Sequence, residues 1–438
     1  MFFAPTLMSP SYSVLPYSSP IYPQLRDADQ LYGARHGGYA PGSMATVYVK
    51  KGRVRPLLYR HPWVYADSID RVEGEVEPGT VVDVRAPDGR FLARGFYNAS
   101  SRLCVRSFAF EEGSQPDGAW IRRQIEAAIT YRRETLGLGS ADTNCYRLVH
   151  GDSDLLPGLV VDRFGSILAI QLTTKGLEVR RENILDALEA LLAPQAIVEC
   201  PDMRTRKKEG LGSVEHLQRG ELPPEGRVEV LESGISYEVD VVSGQKTGFF
   251  CDQRENRALV RRLARGRRVL DGMCFTGGFG LNAAQGDAER VEAVDSSASA
   301  IEIARRNAER NGLVLGFHTA DLYKLLAGWR QSSRRFDLTV LDPPNYVHTR
   351  RDLEKALRKY RELFSLGVSV TTRGGVLVCC TCSGLMQDAD LEGVLREIVR
   401  TSGREIRVFH RGEQAPDHPV SVTCPESRYL RAYFCHVG

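Results

Sequence analysis

A doubly wound α/β domain, preceded by a small β-barrel and an α+β unit, is the architecture this 438-residue chain predicts. Two changes of pattern carry that expectation. Between Ala45 and about Phe110, short β-prone runs are punctuated by Gly, Pro and Asp. After Gln253, apolar runs of strand length alternate with helical stretches, the pattern of βαβ units around a parallel sheet. The length also exceeds one core, at ~150 residues per domain. The expected divisions are 1–43 outside the fold, 44–115 for the barrel, 116–240 for the α+β unit and 241–438 for the parallel-sheet domain.

Met1 to Gly42 is rich in Ser, Pro, Tyr and Gly without a period, which predicts disorder. It lacks the basic region of a signal peptide, and Asp27 and Asp29 do not suit a transit peptide. The natural start is expected at Met44, with the upstream stretch a reading-frame artefact. Barrel strands are predicted at Thr46–Val49, Thr80–Val84, Phe91–Tyr97 and Cys104–Phe108. Ile121, Ile125 and Ile129 form a stripe at helical spacing over a basic face and predict a helix from Trp120 to Leu136. A hairpin (Leu159–Asp162 and Ile167–Leu172), a helix (Leu177–Leu192) and strands near Ile197 and Val228 complete the middle unit. In the last domain the strands are expected at Val269–Asp271, Val291–Asp295, Leu338–Leu341 and Val376–Cys380.

The composition, 42% hydrophobic and 26% charged, is that of an ordinary soluble protein, and no apolar run approaches the roughly 20 residues of a membrane helix. A net charge of +3 does not by itself specify a polyanionic partner. Ten cysteines scattered along a long chain fit thiols in a reducing cytoplasm. Cys379 and Cys382 have C-x-x-C spacing, but they sit inside a strand and no second pair follows at zinc spacing, so no metal site is expected.

Strand Val269–Asp271 leads into Gly272-Met273-Cys274-Phe275-Thr276-Gly277-Gly278-Phe279-Gly280, a glycine-rich turn into a helix. Such a turn lets a ligand approach the backbone, and the helix amino terminus favours an anionic group. Asp295 ends the next strand, where an acid can accept bonds from ribose hydroxyls. NAD and S-adenosylmethionine both meet these conditions. However, the glycines at 272, 277, 278 and 280 do not make G-x-G-x-x-G, and Asp271 at the entrance would repel a pyrophosphate while suiting ammonium and sulfonium charges. Asp321, after a third strand, is placed for an adenine.

Asp342-Pro343-Pro344 ends the run Leu338–Leu341, and Cys382 follows the run Val376–Cys380. If the two runs are neighbouring parallel strands, both ends open onto one crevice. Proline cannot continue a ladder, so the tripeptide holds carbonyls outward for the amino group of a base. That alone does not separate nitrogen from carbon methylation. Cys382 does, because C5 of cytosine becomes nucleophilic only after a thiolate adds to C6. An ordinary thiol is only a few per cent ionised at neutral pH, so the site is expected to depress its pKa through nearby amide dipoles. Cys379 and Cys380 read as small core residues.

These segments together resemble the PUA-domain class I S-adenosylmethionine-dependent rRNA methyltransferases, most of all their 23S rRNA 5-methylcytosine members. The likeness runs from Met44 onward through His61-Pro62-Trp63-Val64, Leu156-Pro157-Gly158-Leu159, Val161-Asp162, Gln245 to Arg257, Thr276-Gly277-Gly278-Phe279, Val294-Asp295-Ser296-Ser297, Asp342-Pro343-Pro344, Thr381-Cys382-Ser383-Gly384 and Asp417-His418-Pro419. It implies a PUA barrel for RNA and a Rossmann-like methyltransferase domain. Phe249, Asp252, Gln253 and Arg254 would border the cofactor. Asp271, Thr276, Gly277, Gly278, Phe279, Asp295, Ser296, Asp321 and Asp342 would hold it. Cys382 would be the nucleophile, with Asp342, Asp417 or Lys246 as the base that removes the C5 proton. Pro343, Pro344, Asn345, Asp417 and His418 would meet the substrate. Asn345 stands where family members often carry lysine, and Met273 replaces a larger or aromatic residue.

Lys50-Lys51, Arg53, Arg55, Arg122-Arg123, Arg132-Arg133 and Lys207-Lys208 are candidates for tracking phosphates. A base in folded rRNA must be extruded to reach the thiol, so loops or single strands are the expected target. A membrane partner is not expected; a second copy of the chain is entertained. The alternatives are an N-methylating rRNA enzyme, which would not need Cys382, and a non-catalytic ribosome-assembly factor.

Overall fold

The computed structural model describes residues 44–438 apart from 243, 245, 246 and 348. The expectations for residues 1–43 and for Lys246 therefore fall outside the described residues. The first unit is a six-stranded sheet built from β1 (Thr46–Val49), β2 (Trp63–Tyr65), β3 (Ile69–Glu73), β4 (Val81–Arg85), β5 (Phe91–Tyr97) and β6 (Leu103–Ala109), with a short α1 (Val54–Leu58) after β1. Its order is β2-β6-β5-β4-β1-β3, antiparallel except for β1 beside β4. Val47, Val49, Val82, Val84 and Val105 alternate along their strands onto one buried face. The unpredicted β3 is an edge strand of sequence Ile-Asp-Arg-Val-Glu whose charges face solvent, a common protection of a sheet edge that erases the strand signal.

The middle unit carries α2 (Gly118–Thr130), β7 (Cys145–His150), β8 (Leu159–Phe164), β9 (Ile167–Leu172), α3 (Lys175–Glu178), α4 (Arg181–Leu192), β10 (Ala196–Glu199), α5 (Met203–Lys208) and β11 (Leu217–Gly220). The strands form one sheet in the order β11-β10-β9-β8-β7. Ile121, Ile125 and Ile129 of α2 pack with Leu185 and Leu188 of α4 over it. Asp117 caps α2 by accepting from the Trp120 amide at 2.7 Å. The helix expected to run to Leu136 gives way to a π-turn over Tyr131–Thr135, a distortion that often marks a constrained side chain. Here that side chain is Arg132. It is fully buried, donates to both Asp154 carboxylate oxygens at 2.8 Å and reaches the Asp417 carbonyl at 2.8 Å. Arg132 is thus an internal strut and not one of the phosphate-tracking residues. The expected Leu177–Leu192 helix is split between α3 and α4, where Arg180 turns to donate to the Gly176 carbonyl at 2.7 Å.

A hairpin of β12 (Arg227–Glu232) and β13 (Ile235–Asp240) leads to the last domain. There α6 (Arg254–Leu263), β14 (Arg268–Gly272), α7 (Gly278–Gln285), β15 (Arg290–Asp295), α8 (Ala298–Arg310), β16 (Gly316–Thr319), α9 (Leu322–Gln331), β17 (Phe336–Leu341), α10 (Leu353–Val370), β18 (Thr371–Cys382), α11 (Asp388–Ser402), β19 (Ile406–Gly412) and β20 (Leu430–Val437) follow in turn. The sheet order is β16-β15-β14-β17-β18-β20-β19, parallel apart from β20, which runs antiparallel to both neighbours. Residues of α9, α10 and α11 pack on one face, while α6 and α7 pack on the other. The strand order reverses between β14 and β17, the switch point at which doubly wound sheets open a ligand crevice. No helix of the described residues is long and apolar enough to cross a membrane.

The first two units meet where Gly176 of α3 abuts the Phe96 ring of β5, and a Cβ at Gly176 would overlap that ring. Gly176→Ala should therefore cost about 1–3 kcal/mol by overpacking, read as a lowered melting temperature; an unchanged melting temperature would contradict this packing.

Candidate active site

At the carboxyl end of β14, Asp271 is fully buried. Its Oδ2 accepts from the Gly280 amide at 2.6 Å, while Oδ1 has no hydrogen-bond partner among the described residues. Burial pushes this carboxyl up to about 7, and the neighbouring Asp342 and Asp295 charges push the same way. The loop that follows is strained. Met273 (φ 62°) and Phe275 (φ 50°) both lie in the left-handed region, at a cost of order 1–3 kcal/mol each. Gly277, at φ 89°, makes the turn into α7. Asp295 at the end of β15 secures the loop, accepting from the Phe275 amide at 2.8 Å and from its own Ser297 amide at 2.9 Å. Thr276 is buried, and its carbonyl accepts from Asn307 at 3.2 Å. Gly278 opens α7 against Arg257. The Phe279 ring turns into the core between α6 and the sheet. Ser296 and Asp321 are exposed, Asp321 capping α9 through the Lys324 amide at 3.2 Å.

The second half of the crevice comes from β17 and β18, which pair in parallel with Leu341 opposite Cys379. Asp342 to Pro344 therefore run beside Cys380 to Cys382. The Cys382 thiol, half-buried, points at the Pro343 carbonyl at 3.9 Å. Cys379 and Cys380 are fully buried in cores on opposite faces of the sheet. Gln253 donates to Asp342 Oδ2 at 3.1 Å, and its amide is oriented by Asn256, which donates to Gln253 Oε1 at 2.7 Å. Asn345 turns back on its own loop and accepts from the Val347 amide at 2.8 Å.

Three tyrosines that the sequence reading did not single out support this wall: Tyr346 and Tyr323 are half-buried, and Tyr360 is fully buried behind them. Tyr346 packs on Tyr360 of α10 at 4.9 Å between ring centres, and its hydroxyl lies 3.3 Å from that of Tyr323 on α9. Burial, and then the proximity of Cys382, raises the Tyr360 hydroxyl above its ordinary range. Tyr346 is raised by burial and by Tyr323. Tyr360 carried no site signal because it shares the apolar stripe of α10 with Ala356, Leu363 and Phe364.

The segment before α6 divides. Gln253 reaches Asp342. The Phe249 ring packs on Tyr237 at 4.9 Å and under the Arg257 guanidinium at 4.8 Å. Asp252 Oδ2 accepts from the Tyr429 hydroxyl at 2.7 Å. Arg254 donates to both oxygens of Asp417 at 3.1 and 3.0 Å. Asp417, fully buried, also accepts from the Arg147 amide at 2.8 Å. Burial alone would push its carboxyl up, but His418 and Arg254 more than offset this and hold it well below the usual carboxylate range. His418 is buried edge-on to His150 at 5.3 Å. The structure thus brings Asp271, Asp295, Gln253, Asp342 and Cys382 to one end of the sheet and builds Phe249, Arg254, Asp417 and His418 into the interior behind it.

Residues 47–110 match a PUA-like domain family, and residues 206–425 match a family of S-adenosylmethionine-dependent methyltransferases. Among curated proteins, the chain is 39% identical to a ribosomal RNA large subunit methyltransferase I of Tolumonas auensis over 88% of this chain and 98% of that one. It is 37% identical to the protein of the same name from Klebsiella pneumoniae over 88% and 97%. Two solved structures share the fold over 89% of this chain. One is a Streptococcus mutans protein assigned as an S-adenosylmethionine-dependent methyltransferase (TM-score 0.77, 19% identity); the other, assigned as a methyltransferase, was solved with SAH (TM-score 0.78, 18% identity).

S-adenosylmethionine fits the residues present. The unpartnered Asp271 oxygen and the adjacent Asp295 and Asp342 supply the negative potential that an ammonium and a sulfonium require. A cationic ligand favours ionised Asp271, so binding should release a proton and weaken as pH falls through about 7. Calorimetry between pH 5.5 and 7.5 should show affinity rising with pH in the wild type. Asp271→Asn should bind at least ~10-fold more weakly with that dependence lost; pH-independent wild-type binding would contradict the assignment.

Proposed function

The chain belongs to the ribosomal RNA large subunit methyltransferase I family, S-adenosylmethionine-dependent enzymes, and on that premise we propose that it methylates carbon 5 of a cytosine in 23S rRNA through a covalent bond from Cys382 to C6. The observation that carries this reading is the placement of the Cys382 thiol against the Pro343 carbonyl, beside Asp342. Nitrogen methylation has no need of a thiol there.

In this mechanism the target cytosine leaves its stack and its exocyclic amine donates to the carbonyls of the Asp342–Pro344 loop. Tyr346, backed by the buried Tyr360, forms an aromatic wall beside it. The Cys382 thiolate adds to C6, and the electron pair displaced from the C5–C6 bond makes C5 nucleophilic. S-adenosylmethionine, held by Asp271, Asp295 and the Thr276-Gly277-Gly278 loop, supplies an electrophilic methyl group when bound. Asp342 then takes the C5 proton, and the electrons of that C–H bond re-form the C5–C6 double bond as the thiolate leaves. Gln253, fixed by Asn256, orients the Asp342 carboxylate. Asp342 is favoured over Asp417 because the latter is locked by Arg254 and Arg147. The substrate would be 23S rRNA, free or within a large-subunit assembly intermediate, and every residue invoked belongs to one chain.

Nucleoside mass spectrometry on rRNA incubated with the protein and labelled cofactor should find 5-methylcytosine. Cys382→Ala should reduce it by at least about 10³-fold. Asp342→Asn should instead accumulate a covalent protein–RNA species, since addition and methylation outrun elimination. Methylated guanine or adenine, or undiminished product from Cys382→Ala, would overturn the proposal.

A further inference from the structure

Beside the pocket, α10 and the helical turn that leads into it carry Arg350, Arg351, Lys355, Arg358, Lys359 and Arg361, all exposed. Arg350, Arg351, Lys355 and Arg358 form no ion pair among the described residues, although Glu354 and Glu362 lie within reach along the chain. Other exposed helices behave differently. On α11, Arg396 pairs with Glu392 and Arg400 with Glu397, and on the middle unit Arg219 meets Glu182, Asp186 and Glu189. Arg351, Lys355 and Arg358 instead stack like charges at helical spacing, an arrangement that costs an isolated helix about 0.2–0.5 kcal/mol per pair. A bound polyanion removes that cost.

The stripe is tied to the pocket. α10 follows the loop that carries Asp342 to Val347 by way of the turn Arg350–Asp352 and runs back to β18, so its amino-terminal end lies at the level of the crevice. Its buried face packs Tyr360 behind Tyr346 of the pocket wall, and Lys359 sits over the Tyr346 ring at 5.1 Å. From Arg351 to Arg358 the charges extend ~10 Å along the helix.

We propose that this stripe grips the sugar-phosphate backbone of the RNA strand flanking the target base, so that the strand is held along α10 while the base enters beside Cys382. This rests on the reading of the protein as an RNA methyltransferase. It assigns the methyltransferase domain its own phosphate-binding surface, separate from the PUA-like unit. Side chains of this kind act on the backbone, so they set affinity and position without reading sequence.

The test is the triple variant Arg351→Ala, Lys355→Ala, Arg358→Ala in the full chain, with Arg396→Ala, Arg400→Ala as a control of paired arginines. Alanine is the best helix former, so both should fold. Binding to a single-stranded RNA is measured across salt concentrations, alongside calorimetry with S-adenosylmethionine. The triple variant should bind RNA at least about tenfold more weakly, with the slope of log affinity against log salt reduced by about 2, at roughly 0.7 per lost phosphate contact. Cofactor affinity should be unchanged, and the control should match wild type. An unchanged RNA affinity and slope in the triple variant would overturn the stripe, as would an equal loss in the control. A wild type that binds RNA with a stripe-dependent slope yet makes no 5-methylcytosine would overturn only the reading of the chemistry.

Discussion

The parallel register between β17 and β18 is the constraint on which the site depends. With Leu341 opposite Cys379, the strands end within three residues of each other, and the thiol of the second meets the carbonyl of the first. A slip of one residue would turn Cys382 to the other face of the sheet and leave Asp342 without it. The register is held on both sides, because β18 is also paired with β20 from Gly375 to Cys382, Cys382 lying opposite Leu430. Above it, Thr371 and Thr339 share a buried hydrogen bond at 2.9 Å. Strand pairing fixes the chemistry more than any single side chain does.

A second layer locks the remaining groups onto that frame through buried charge. Asp417 gathers Arg254 from α6, the Arg147 amide from β7 and, through its carbonyl, Arg132 from the end of α2. Removing one partner from such a pair costs about 3–5 kcal/mol, because it strands a buried charge. The consequence for the site runs through sequence neighbours. Anchoring Arg254 fixes the start of α6, and with it Gln253, whose amide faces Asp342. The middle unit therefore contributes to the pocket without lining it. Arg257, paired with Glu232 of the β12–β13 hairpin, repeats the device one turn further along the same helix.

Much of this was legible in the sequence, for identifiable reasons. The alternation of apolar runs located β14, β15, β17 and β18, and Asp342 and Cys382, each just past the end of its run, share one crevice once β17 and β18 pair in parallel. Motif reading was less able to separate residues that line the site from residues that support it. Phe249, Arg254, Asp417 and His418 occur in segments as distinctive as those of Asp271 or Asp342, yet their side chains face inward, and no local pattern distinguishes a buried salt bridge from a ligand contact. Arg132 misled in the same way, since a basic pair on a helix looks solvated until a π-turn rotates one member inside. The polar edge strand β3 and the tyrosine wall were hidden for the opposite reasons: β3 lacks apolar alternation, and Tyr360 blends into an apolar stripe. The free charges of α10 stand out only once their neighbours are known to be unpaired.

The central claim is that Cys382 becomes covalently attached to the target base. RNA carrying 5-fluorocytosine offers no C5 proton to remove, so the reaction should stall after methyl transfer with the bond to C6 intact. Peptide mapping of the complex formed with such RNA and S-adenosylmethionine should place the nucleotide on Cys382. Absence of a covalent complex, or attachment at another cysteine such as Cys380, would contradict the account.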